Sequence, residues 1–136
     1  MQWPVDSLVY TDRYHLKQVQ KTIATIANTI SAFEPVIMLA DAAFHASARE
    51  LLSDQVELWN IPTNDLWCRD SGPIIAFDDA DQRVVSHIQF NGWGNKQLHN
   101  HDAQIAKRVA TALDFAVISS GLLGKQAGLK PTEQER

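Results

Sequence analysis

A mixed α/β layout with hairpins is predicted for this chain by three observations. Apolar residues recur at three- and four-residue spacing in two stretches, which marks amphipathic helices. Short apolar runs bounded by Pro, Asp and Gly read as strands. Two of those runs are joined by "DDADQ", a turn too short for a crossover helix, so the sheet is not purely parallel.

The elements follow in order. From Thr11 to Phe33 the apolar positions are Leu16, Val19, Ile23, Ile26, Ile30 and Phe33. Thr11 or Asp12 caps this helix, and Pro35 forbids its continuation. "VIMLA", Val36–Ala40, is a buried strand, and Asp41 opens a short alanine-rich helix through Leu52. "VELWNI", Val56–Ile61, alternates and reads as a second strand. After Pro73 come "IIAFD" and "RVVSHIQF", Arg83–Phe90, as hairpin partners, with Ile74–Phe77 as the first strand's core. "NGWGNKQ" is a loop with two glycines. Ile105, Ala106, Val109, Ala110 and Leu113 mark a further helix, and "FAVIS", Phe115–Ser119, a last strand. From Gly121 the tail has little periodicity and is expected to fray.

The 136 residues suffice for one domain with a real core, and 45% hydrophobic with 21% charged is a globular balance. A net charge of −4 argues against nucleic acid or an anionic membrane surface, both of which need a basic face. One cysteine cannot close an internal disulfide. No leader or membrane-length apolar run is visible, which makes the cytoplasm the expected location.

The chemistry concentrates in "NDLWCRDSGP", Asn64–Pro73. A carboxylate grips a planar cation through two parallel charge-assisted hydrogen bonds. A tryptophan face stacks on that cation or on its methylene stem. Arg69 could brace Asp65 or Asp70, while Gly72 and Pro73 turn the chain into the next strand. One reading is therefore a guanidinium- or amine-binding corner. The other is a structural loop, with an Arg–acid pair and Trp67 in the core. Cys68, with His45 or His87 as base, has the makings of a thiol nucleophile; against that, a lone cysteine is commonly a small buried hydrophobe. His87 itself reads as a half-buried packing residue. "HNH", His99–His101, lacks the partners of a metal site and precedes a helix that Asn100 or Asp102 can cap.

"NDLWCRDSGP" followed some twenty residues later by "FNGWGNK", Phe90–Lys96, resembles the agmatine deiminase family, related to the Porphyromonas-type peptidylarginine deiminases. Trp3-Pro4 and "FEPVIML", Phe33–Leu39, fit the same N-terminal region. The resemblance implies part of a five-bladed α/β propeller of ββαβ-type units, the guanidino-group-modifying fold, over residues 1–120, with 121–136 a divergent tail. It implies hydrolysis of agmatine to N-carbamoylputrescine and ammonia, without metal or organic cofactor. Carried over by position, Asp70 binds the substrate guanidinium and Trp67 lines the channel. Asn64, Asp65, Arg69 and Gly72 organise the loop, and Phe90 to Gly94 shape a neighbouring blade edge. In the family the catalytic histidine and the nucleophilic cysteine lie further C-terminal, so Cys68 does not match the nucleophile. The expectation is an N-terminal portion, truncated or frameshifted, that is inactive alone and prone to self-association through exposed sheet edges. The rival readings are a non-catalytic guanidino- or polyamine-binding or interaction module, a peptidyl-arginine lineage, and a small thiol hydrolase built on Cys68.

Overall fold

The structure is a computed structural model and describes residues 1–124. The order is α1 (Arg13–Ser31), β1 (Val36–Ala40), α2 (His45–Arg49), β2 (Val56–Asn60), α3 (Cys68–Ser71), β3 (Ile74–Phe77), β4 (Arg83–Phe90), α4 (Gly92–Asn95), α5 (Ile105–Leu113) and β5 (Ala116–Gly124). Short 3-10 turns precede α2 and α5.

Two sheets result. β1 and β2 pair in parallel, and residue 2 adds a bridge to Leu39 on the β1 edge. β3, β4 and β5 form the second sheet, antiparallel at the predicted β3–β4 hairpin and parallel between β4 and β5. A parallel pair needs a crossover, and α5 supplies it.

The burial pattern explains why "VIMLA" is apolar throughout. Val36, Met38 and Ala40 face one cluster with Trp3, Ala24, Ala27 and Val56, under α1. Leu39 faces another, with Ile61, Ile105 and Val109, under α5. A strand covered on both faces has no polar face to show. α5 also presents Ala106 and Ala110 to Val85 and Phe115 of the second sheet region. One nine-residue helix thus carries two stripes and joins both sheets.

Several boundaries move from the sequence expectation. Asp12 is the α1 cap, accepting from the Tyr14 and His15 backbone N–H groups. The buried ridge of α1 is Ala24 and Ala27 flanked by Ile23 and Ile30, while Ile26 and Phe33 are exposed. Small residues let the helix sit close to the sheet, so the bulky positions flank the contact. The alanine-rich helix ends at Arg49, whose guanidinium donates to the carbonyls of Ser53 and Val56. β5 runs past Ser119 to Gly124, pairing Leu123 and Gly124 with Gln89 and Phe90 after a register shift. The fraying expected from Gly121 thus meets paired backbone as far as Gly124, and residues 125–136 lie outside the described residues. No helix among the described residues is long and apolar enough to cross a membrane.

Candidate functional site

The loop that leads into Asn64–Pro73 starts where Pro62 ends the β2 pairing. Thr63 donates to the Trp3 carbonyl at 2.7 Å. Asn64 is fully buried and uses its whole amide. Its Oδ1 accepts from the backbone N–H groups of His101 and Asp102, and its Nδ2 donates to Asp6 and Asn100. Asp65 is also buried, and its carboxylate accepts from the Tyr10 hydroxyl, the Gln97 amide at 2.6 Å and the Leu66 N–H.

Asp102 faces the same loop. One of its oxygens accepts from the Asn64 N–H at 2.8 Å and the other from the Asp65 N–H at 3.1 Å. Gln2 closes the network. Its amide donates to the Asp65 carbonyl and to Asp102, and its oxygen accepts from Ser71 of α3 at 2.8 Å. Buried polar groups tolerate burial only when their partners are complete, and here four chain segments complete one another.

Electrostatics follow from the crowding of carboxyl groups. Burial pushes Asp102 up to about 6; the backbone donors of Asn64 and Asp65 oppose this, and the Asp65 and Asp6 charges add to it. Burial, then the hydrogen bond and charge of Asp65, raise Tyr10 and keep it a donor. The sign for Asp102 is that of a raised group. The proton-linked part of its contribution to stability is full below about pH 4, the unfolded range, and is lost as pH rises through about 6, while its hydrogen bonds to the loop remain. We expect the Asp102 carboxyl carbon resonance to titrate near pH 6, and Asp102→Asn to remove that part of the pH dependence of unfolding. A midpoint at or below the ordinary carboxylate value would refute the assignment.

On this platform α3 is a single turn. Gly72 terminates it, with its N–H on the Cys68 carbonyl at 2.8 Å. A Cβ at Gly72 would lie 2.4 Å from that same carbonyl oxygen, which is why the turn closes on glycine. Trp67 stands at its start and is 50% exposed. It is not the core residue that a purely structural loop would place there. Asp70 is half-buried, and among the described residues only its backbone N–H is engaged, to the Trp67 carbonyl. Its carboxylate is available to a cation.

Other expectations change. Arg69 is exposed and braces neither acid: Asp65 is satisfied by neutral donors instead. Asp102 is not a helix cap but the clamp of the loop. Cys68 is exposed rather than buried. It lines an apolar cavity of about 200 Å³ with Met1, Ile37, Leu39, Trp59 and Pro73, and neither Asp70, Trp67, His45 nor His87 lines that cavity. His87 is buried in β4, with its Nε2 unpartnered among the described residues.

The second motif forms an unusual turn. Gly92, Trp93, Gly94 and Asn95 all have positive φ, at 60°, 54°, 83° and 60°. Bonds from the Asn95 and Lys96 N–H groups to the Asn91 and Gly92 carbonyls close one left-handed turn. Asn91 caps it by accepting from the Gly94 N–H at 3.0 Å. Such a conformation costs an L-residue roughly 1–2 kcal/mol. Glycine avoids the cost and asparagine tolerates it, so Trp93 bears most of it. Its ring meets Phe90 edge-on at 5.2 Å and Trp67 at 6.4 Å. Sequence reasoning recognised the glycines but not the handedness, and it missed Gln2, Tyr10 and Gln97 as partners of the loop. The two glycines around one tryptophan were the available signal.

The chain matches the Porphyromonas-type peptidyl-arginine deiminase family profile over residues 1–127. A Streptomyces coelicolor protein provisionally named an agmatine deiminase is 35% identical over 127 residues, covering 92% of this chain and 38% of its own length. A Pectobacterium atrosepticum protein of the same provisional name is 34% identical over 119 residues, covering 85% and 31%. The Enterococcus faecalis agmatine deiminase structure superposes with a TM-score of 0.76 at 23% identity, over 88% of this chain and 34% of that one. A C. jejuni agmatine deiminase solved with substrate bound gives 0.72 at 19%, over 87% and 34%. These structural likenesses show a shared mixed α/β fold, and the chain spans about a third of the length of its relatives. By its profile, its relatives and its fold, this chain belongs to the Porphyromonas-type peptidyl-arginine deiminase family, which includes proteins named as agmatine deiminases.

Proposed function

We propose that this chain is the N-terminal third of an agmatine deiminase-type guanidinium hydrolase and carries one half of its substrate clamp. Asp70 grips the guanidinium and Trp67 lines the path of its aliphatic stem. The observation that carries this reading is an uncommitted carboxylate and an exposed indole on one turn, held by a fully satisfied buried network. Hydrolysis of agmatine to N-carbamoylputrescine and ammonia needs a nucleophile, a proton shuttle and carboxylates converging on one carbon. Asp70 and Trp67 supply only binding, and Cys68 opens on a separate apolar cavity. In this reading the 136-residue chain binds a guanidinium without turning it over. An exposed ion pair contributes roughly 1 kcal/mol or less.

The same reading places the chain in a five-bladed propeller, in the cytoplasm, without metal or organic cofactor. Exposed Ile74, Ile75 and Phe77 on β3 and Val117 and Ile118 on β5 support further contacts there. They are apolar side chains on edge strands, which invite pairing with other blades or with a second copy.

The test is a colorimetric ureido assay on agmatine and on an arginine peptide, alongside an agmatine titration read at the Trp67 indole N–H resonance. We expect no ureido product, and a shift at Trp67 that Asp70→Ala abolishes. Product that disappears in Cys68→Ser would overturn the reading in favour of a small thiol hydrolase. A Trp67 response indifferent to Asp70→Ala would remove the clamp.

A further inference from the structure

We propose that Trp93 is a positioning residue: its left-handed turn exists to fix the orientation of the Trp67 indole. The inference deepens the substrate-clamp reading and rests on it. Trp67 immediately precedes a helix of only four residues and is half exposed, so its own turn does little to restrain its ring. The restraint comes from across the sequence. Trp93 meets Trp67 at a 6.4 Å centroid separation and 84°, the edge-to-face geometry that aromatic quadrupoles favour. Trp93 is itself held edge-on by buried Phe90, at 5.2 Å and 86°, and Phe90 by His99 at 5.9 Å and 81°. Four rings are therefore linked edge to face, with buried Phe90 within the series and the exposed indole at its end.

The backbone of the turn is keyed to the same loop. The space that a Cβ of Gly92 would take is filled by His99 and the Gln97 carbonyl. Gln97 in turn donates to Asp65, three residues after which Cys68 opens α3. Trp67 is thus tied to the turn twice, through the Trp93 ring and through the Gln97–Asp65 bond. Strained backbone persists where the surroundings over-determine it, and here what it delivers is the placement of one side chain. The ligand class this suits is a planar cation on a straight aliphatic chain. Such a stem can lie along an indole face whose tilt is set in advance.

The test uses the ¹⁵N-labelled 136-residue chain with Trp93→Phe, Trp93→Gly and Trp93→Asn. Glycine and asparagine both accept the left-handed conformation, so the asparagine variant carries the test if the glycine variant fails to fold. The first readout is the heteronuclear NOE of the Trp67 indole N–H without ligand. We expect an ordered indole in the parent and in Trp93→Phe, and a mobile one in Trp93→Gly and Trp93→Asn. The second is agmatine affinity at Trp67, expected to fall about threefold in the two ring-less variants and to be kept by phenylalanine. A Trp67 indole equally ordered in all four proteins would overturn the proposal. An ordered indole that depends on Trp93 but shows no agmatine response would leave the positioning role standing and defeat the substrate-clamp reading instead.

Discussion

Replacing Asp102 by alanine is expected to lower the unfolding free energy by about 4 kcal/mol, the largest loss from any single polar side chain of the loop platform. The magnitude follows from what is left behind. The backbone N–H groups of Asn64 and Asp65 lose their acceptor inside a buried site, and the Gln2 amide loses one of its two. Each buried orphan costs roughly 1–3 kcal/mol, and the departing carboxylate returns part of its own burial cost. Domains of this size hold only about 5–15 kcal/mol in total, so the variant sits near the edge of folding. Asp102→Asn keeps one acceptor oxygen and should lose about half as much. Urea unfolding of the three proteins at pH 7 checks this. A loss below 1 kcal/mol in Asp102→Ala would mean that water replaces the carboxylate and that the network does not hold the loop.

Gly92→Ala is expected to cost about 3 kcal/mol, against about 1 kcal/mol for Gly94→Ala, although both glycines have positive φ. The pair separates two effects. Both substitutions impose the left-handed penalty of an L-residue, on the order of 1 kcal/mol. Only Gly92 is also closed in: its Cβ would stand 2.4 Å from His99 Nδ1 and 2.5 Å from the Gln97 carbonyl oxygen, whereas Gly94 has nothing within 4 Å. Overpacking adds roughly 1–3 kcal/mol. Because Gln97 also holds Asp65, displacing it loosens the loop that carries Asp70. Thermal unfolding of both variants decides the matter, and equal losses would show that the turn gives way freely around His99.

The regular elements were legible because each is encoded locally. The α1 repeat, the doubly covered "VIMLA" strand and the Ile74–Phe77 and Arg83–Phe90 hairpin needed no knowledge of the rest of the chain. Trp67 and Asp70, the residues we propose for the substrate clamp, were legible as chemistry and as a motif. Their supports were not. Asp102 looked like a helix cap because an acid before a helix usually is one, and its actual partners lie 37 and 38 residues away. Arg69 looked like a brace because it sits beside Asp70, yet it pairs with neither acid: Asp65 is satisfied by Tyr10, Gln97 and the Leu66 N–H, and the Asp70 carboxylate has no partner among the described residues. Gln2 carries no sequence signal at all: a glutamine beside Trp3 becomes a buried junction only once the chain has folded. The left-handed turn was hidden for a different reason. Handedness is a backbone property, and the two glycines flanking Trp93 are the one hint of it in the sequence.

The Gln2–Asp102 bond closes a loop of 100 residues, nearly the whole described chain. Contacts of that sequence separation are entropically the most expensive to form and raise the contact order that slows folding. The segments of the network are therefore expected to meet after β1 and β2 have paired and α5 has brought the second sheet alongside. The turn bearing Trp67 and Asp70 is then expected to be among the last parts of the fold to be assembled. If the proposed clamp holds, a partly folded chain with both sheets formed is expected to lack guanidinium binding, so binding would report complete folding.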